Sequence, residues 1–122
     1  MLKKVLVLDD NQDILDIIQE ALSYEKFEVK ITSHGDHIIS LIESFQPNIV
    51  LLDYRLIGLK GDFICREIKT HPKFYDLPVI ICSAYLNISS NAELTACGCD
   101  AIITKPFGLE ELVDKINDLI SV

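Results

Sequence analysis

Five polar side chains stand out because each follows a short, mostly apolar run: Asp9 and Asp10 after Val5–Leu8, Asp53 after Ile49–Leu52, Ser83 after Val79–Cys82, and Lys105 after Ala101–Thr104. If these runs lie side by side, three carboxylates, a hydroxyl and an ammonium meet at one edge. Carboxylates gathered there repel, each pair about 4 Å apart costing on the order of 4 kcal/mol at an effective dielectric near 20. One lysine cannot offset three of them. A hard divalent cation can, and Mg²⁺ favours one or two carboxylates, several waters and a phosphate oxygen over a full protein cage. An aspartate beside such an ion can attack phosphorus and form an acyl phosphate, with the metal, a lysine ammonium and a hydroxyl sharing the charge on the equatorial oxygens.

The elements needed to bring these groups together can be read from hydrophobic periodicity. Lys3–Leu8 is a β-type run ending in two aspartates. From Asn11 onward, Ile14, Leu15, Ile17, Ile18, Ala21 and Leu22 trace a helical face. Glu28–Thr32 alternates as a short strand, and after the turn residues 33–36 a second helix runs through Ile38, Ile42 and Phe45 until Pro47 stops it. Ile49–Leu52 reads as a strand buried on both faces and ends at Asp53. A loop bearing Gly58 and Gly61 leads into a helix through Phe63, Ile64 and Ile68, closed by His71 and Pro72 before the strand Val79–Cys82. A weaker helix is expected from Ser89 to Ala96, then a strand at Ala101–Thr104, a break at Pro106, and a last helix from Leu109 to Ile120. Five successive strand–helix pairs predict one α/β domain over residues 1–122, a doubly wound, five-stranded parallel sheet in a three-layer sandwich. In such sheets ligands sit outside the carboxyl ends of the strands, where the five polar residues fall.

Totals narrow the function. With 122 residues the chain suits a single core. Its longest apolar stretches are far short of the ~20 residues of a membrane span. The start lacks the apolar region and cleavage site of a signal peptide, so a cytoplasmic, membrane-free protein is expected. A net charge of −8 argues against direct nucleic-acid binding, which needs concentrated Lys and Arg. Cys65, Cys82, Cys97 and Cys99 include no CxxC pair and are read as packed thiols in a reducing compartment. His34, His37 and His71 have no metal-ligand spacing and are read as surface residues. Glu110 and Glu111 suit the dipole at the start of the last helix.

Each site residue alone has a plainer explanation. Asp9 or Asp10 could cap the following helix, Asp53 could satisfy turn amides, Ser83 is a common loop residue, and Lys105 could be a solvated charge. Only their joint occurrence at four strand ends carries chemistry. In order and spacing, the apolar strand followed by Asp9-Asp10, then Leu51-Leu52-Asp53, Ser83-Ala84 and Lys105-Pro106-Phe107, resembles the motifs of the response-regulator receiver family over essentially the whole chain. The resemblance implies the flavodoxin-like (βα)5 fold with strand order 2-1-3-4-5. It also implies a two-component phosphorelay switch in which Asp53 is the phospho-acceptor and Asp9, Asp10, Asp53 and the backbone carbonyl of Arg55 ligate Mg²⁺. Ser83 and Lys105 would contact the phosphoryl group, with Lys105 aimed by a cis bond to Pro106. The phosphoryl donor would be a histidine kinase or a histidine phosphotransfer protein. The signalling face would be that of the fourth helix, fifth strand and fifth helix, through which homodimers are common in the family. The protein would be a switch that catalyses only its own phosphorylation and dephosphorylation.

The chain departs from the family at three places. Ile102 stands where an aromatic residue is frequent, which excludes a phenolic switch there and turns attention to Tyr85 as the side chain that rearranges. Ile57 replaces a usual proline, and Lys60 stands where an acid is frequent. Two other functions fit less well. A phosphohydrolase would want an acid where Arg55 stands, and a flavodoxin-type electron carrier would not place two aspartates against a flavin phosphate. The remaining alternative is a receiver-like interaction module that works without phosphorylation.

Overall fold

Strands that are apolar at consecutive positions must be covered on both faces, and this requirement organises the interior. The structure is a computed structural model that describes residues 2–54, 61–83, 97–104 and 107–120. Its strands are β1 (Lys4–Leu8), β2 (Glu28–Thr32), β3 (Ile49–Asp53), β4 (Val79–Ser83) and β5 (Ala101–Thr104). Its helices, among the described residues, are α1 (Gln12–Tyr24), α2 (Ile38–Phe45), α3 (Gly61–Lys69) and α4 (Leu109–Ile120). All neighbouring strands pair in parallel, in the order β2-β1-β3-β4-β5. This is the expected sheet. The helix expected from Ser89 to Ala96 lies outside the described residues.

Alternation along each strand divides the core in two. On one face Leu6 and Leu8 join Val50, Leu52 and Ile81 and are covered by Ile38 and Ile42 of α2 and Ile64 and Ile68 of α3. On the other, Val5, Val7, Ile49, Leu51 and Ile80 meet Leu15, Ile18 and Leu22 of α1 and Leu112 and Ile116 of α4. Side chains at β1, β3 and β4 are almost wholly buried, which leaves the strand ends as the place where polar groups can reach solvent.

Local chemistry fixes the helix ends. Asn11, in extended conformation, accepts hydrogen bonds from the amides of Asp13 (3.0 Å) and Ile14 (3.3 Å) and so caps α1, a contribution of ~1 kcal/mol. The chain turns out of α1 with Lys26 in the left-handed region (φ 71°) and the Phe27 amide bonded to Leu22 O at 3.0 Å. Both ends of α2 are left-handed too, at His37 (φ 77°) and Gln46 (φ 55°), and His37 makes no side-chain cap.

At the end of the sheet remote from the polar residues, Lys69 and Asp100 form an ion pair of 2.7 Å. The same Asp100 oxygen accepts from the Val79 amide (2.8 Å), while Lys69 Nζ donates to Leu77 O (2.7 Å). This clasp joins the end of α3 to the starts of β4 and β5. Nearby, Cys65 Sγ lies 3.6 Å from Cys97 O. All four cysteines are reduced, three of them buried, in keeping with the packed thiols expected.

Burial, reinforced by the neighbouring Cys97, pushes the Cys99 thiol up from its ordinary 9.0 to about 12, and burial raises Cys65 in the same direction. Above pH 9 the unfolded chain releases thiol protons that the folded chain retains, so this contribution to stability is complete below pH 9 and declines as pH rises toward 12. Urea unfolding at stepped alkaline pH should therefore show falling stability with a shallower decline in Cys99→Ala; identical slopes would exclude the thiol as a source.

Candidate functional site

The polar edge is built by register. Leu8 of β1 is level with Leu52 of β3, which brings Asp9 beside Asp53; Asp53 is level with Cys82, and Ser83 with Thr104. Asp9, Asp10 and Asp53 each offer an oxygen, and the three oxygens all lie within 4.8 Å of one another. Residues far apart in sequence thus present a single concentrated negative charge. Asp9 is 3 % exposed, Asp10 is exposed, and Asp53 is partly buried.

The backbone holds each acid in place. Asp9 donates its amide to Thr32 O (3.2 Å), and its Oδ1 accepts from the Asn11 amide at 3.0 Å. The capping role open to Asp9 or Asp10 is therefore filled by Asn11, and Asp9 instead positions the cap. Behind Asp53, the Tyr54 amide bonds Cys82 O at 2.9 Å, and the Gly61 amide bonds Tyr54 O at 2.8 Å. Gly61 approaches so closely that a Cβ there would lie 2.9 Å from Tyr54 Cα and closer still to the carbonyl oxygen of Asp53. Glycine at the start of α3 is thus a condition for the position of Asp53. The sequence marked Gly61 only as part of a loop, and nothing in its local spacing announces so close an approach.

Ser83 ends β4, 2 % exposed, one residue beyond the position level with Asp53. Ile102 is level with Ile81 and packs, partly buried, against the α2–α3 core. Glu110 and Glu111 occupy the first turn of α4, as expected. Arg55, Ile57, Lys60, Tyr85, Lys105 and Pro106 lie outside the described residues.

Hard oxygen donors at this spacing suit a small divalent cation. Octahedral ligands about 2.1 Å from Mg²⁺ lie roughly 3 to 4 Å apart, so small adjustments or one intervening water would seat an ion among these acids. The cluster can hold a metal ion.

The model of the response regulator receiver domain matches residues 5–117. Among solved structures, the chain is similar to a CheY-like response regulator receiver domain protein from Methanospirillum hungatei JF-1, at 26 % identity and TM-score 0.90 over 99 % of this chain and 95 % of that one. It is also similar to the BeF3-activated DrrB receiver domain, at 29 % identity and TM-score 0.86 over the whole of both chains. The signal receiver domain of a signal transduction histidine kinase from Syntrophus aciditrophicus shares the fold, at 20 % identity and TM-score 0.91 over 98 % of this chain and 90 % of that one.

Two stability measurements test this geometry. Gly61→Ala should cost ~1–3 kcal/mol in urea unfolding because the Asp53–Tyr54 backbone must move; an unchanged midpoint would show that the close approach is not required. Asp10→Asn should stabilise the metal-free protein by about 1 kcal/mol, less than the Coulomb value on the order of 3 kcal/mol because Asp10 is exposed and screened. Mg²⁺ should raise the Tm of the parent and have little effect on Asp10→Asn; equal Mg²⁺ responses would separate the cluster from metal binding.

Proposed function

The chain belongs to the response regulator receiver domain family, and on that premise we propose that it is a phosphorelay switch that accepts a phosphoryl group on Asp53 with Mg²⁺ bound beside it. The observation that carries this reading is the convergence of Asp9, Asp10 and Asp53 at the carboxyl ends of β1 and β3. Receiver domains work with histidine kinases, so the donor in this reading is the phosphohistidine of a kinase or of a phosphotransfer protein. A carboxylate oxygen of Asp53 attacks phosphorus in line with the leaving imidazole nitrogen; the O–P bond forms as the N–P bond breaks, and the imidazole takes up a proton.

Asp9, Asp10, Asp53 and the Arg55 carbonyl are the proposed metal ligands. When bound, Mg²⁺ supplies the positive charge that lets an anionic phosphoryl group approach three carboxylates. Asp9 is suited to a fixed role because its Oδ1 is already oriented by the Asn11 amide. Lys105 and Ser83 are proposed to hold phosphoryl oxygens, and the low exposure of Ser83 supports a hydroxyl that moves only when something draws it. Its displacement would shift the segment after β4 and bias the face formed by that segment, β5 and α4, a two-state element favoured by contacts made only to the phosphorylated form. With aliphatic Ile102 in β5, Tyr85 is the proposed reporter, and the same face is the proposed route to a homodimer. The switch would act in the cytoplasm without binding nucleic acid. No described helix is long and apolar enough to cross a membrane.

Incubation with phosphoramidate or acetyl phosphate followed by intact-mass measurement tests the proposal. The parent should gain one phosphoryl group only when Mg²⁺ is present, and Asp53→Asn should gain none. An unchanged parent mass would favour the phosphorylation-independent interaction module.

A further inference from the structure

Away from the acidic rim, three of the four thiols gather near the opposite end of the sheet. Cys65 of α3 and Cys97, in the turn before β5, are buried, and Cys99 is partly buried against the same core. The Cys97 thiol is hydrogen-bonded to the thiols of both Cys65 and Cys99, and Cys65 Sγ also lies 3.6 Å from Cys97 O. Sulfurs brought together in this way suit either a soft metal ion or a bond between two of them. Metal ligation needs donor atoms that close on one point. Among the described residues only Asp9, Asp10 and Asp53 form such a group of three, with ligand atoms within 4.8 Å of one another. Pairwise contact through Cys97 points instead to a disulfide.

Access and backbone choose the pair. Cys65 is fully buried on a helix, whereas Cys99 stands closer to solvent. Gly98 between the other two is left-handed (φ 87°), and a Cβ there would meet only the stem of Lys69, at 3.5 Å. This turn carries the thiols on either side of it into contact. We propose that Cys97 and Cys99 are a redox-active pair, oxidised to an intramolecular disulfide by a low-molecular-weight disulfide such as that of glutathione. The Cys99 thiolate attacks one sulfur of the reagent RSSR; the new S–S bond forms as the old one breaks, and the released RS⁻ takes up a proton in place of the one Cys99 lost. Cys97 then attacks the Cys99 sulfur and expels the second RS⁻, which is protonated in turn. Two protein thiols give up two electrons and two protons, and one RSSR becomes two RSH. Burial keeps the Cys99 thiol protonated at neutral pH, which slows the first step without opposing the equilibrium, because a protein disulfide becomes strongly oxidising only when its reduced form is stabilised. Asp100, the next residue, holds Lys69 and the Val79 amide, so the bridge would act on the turn that positions this clasp. Such an input is remote from Asp53 and independent of phosphoryl chemistry.

The test is equilibration of the protein at mildly alkaline pH in mixtures of reduced and oxidised glutathione, followed by acid quench, denaturation, alkylation, intact mass and peptide mapping. Oxidation should remove two hydrogens and lower the number of alkylated thiols from four to two, with residues 97 and 99 joined. Cys97→Ala should stop at a glutathione mixed disulfide on Cys99, Cys99→Ala should form no bridge, and Cys65→Ala should oxidise as the parent does. Cys99 is only partly buried, so Cys99→Ala keeps the test decisive should the buried Cys97→Ala fail to fold. Amide shifts on oxidation should concentrate at residues 97–100 and at Val79, whose amide Asp100 holds. Four alkylated thiols in the parent at the most oxidising ratio, a bridge to Cys65 or Cys82, or a disulfide between molecules would each overturn the proposal. Neither Mg²⁺ nor a phosphoryl donor enters these measurements, so their failure leaves the Asp53 reading standing.

Discussion

Mutual repulsion among Asp9, Asp10 and Asp53 is the constraint around which the structure is arranged. Nothing in the local chain requires these acids to meet, because forty-two residues lie between Asp10 and Asp53. They meet because β1 and β3 pair in parallel along buried strands, and the pairing of Val5 through Leu8 with Ile49 through Leu52 sets their separation. Hydrophobic burial on two faces thus enforces an electrostatic conflict at one edge. A cation seated among these acids would therefore act on an arrangement already held under opposing forces.

Support for that edge comes from atoms that carry no charge. The Asn11 amide orients Asp9, and the same residue's side chain starts α1. Gly61 lets α3 begin against the backbone of Asp53, and its amide donates a hydrogen bond to Tyr54 O. Two helices are therefore tied at their first residues to the segments bearing the acids. The other end of the sheet is fixed separately by Lys69 and Asp100.

Much of this was legible in sequence because buried parallel strands are nearly unbroken apolar runs. The limits of β2, β5 and α4 agree with the periodicity to the residue, α2 spans the apolar positions read for it, and β3 and β4 extend one residue further to include Asp53 and Ser83. Those extensions have a common cause: a polar residue at a strand end can still be hydrogen-bonded in the ladder, as the Tyr54 amide to Cys82 O illustrates. Capping was less legible: the sequence offered Asp9 or Asp10 for a helix beginning near Asn11, and the backbone path instead makes Asn11 the cap. The role of Gly61 was hidden because close approach is a tertiary property. So was the meeting of Cys65 with Cys97, thirty-two residues apart, which depends on how α3 lies against the segment before β5.

The left-handed residues at both ends of α2 have a consequence for how evenly the molecule holds together. Non-glycine residues in that conformation each cost roughly 1–2 kcal/mol, and His37 and Gln46 flank a helix of only eight residues with no side-chain cap at its start. Its termini therefore oppose helix formation, and Ile38 and Ile42, seated in the core, supply what keeps it wound. Such an element belongs at the low end of the range of local opening energies, so its amides would exchange with solvent by brief unwinding while the central strands exchange only when the whole domain opens.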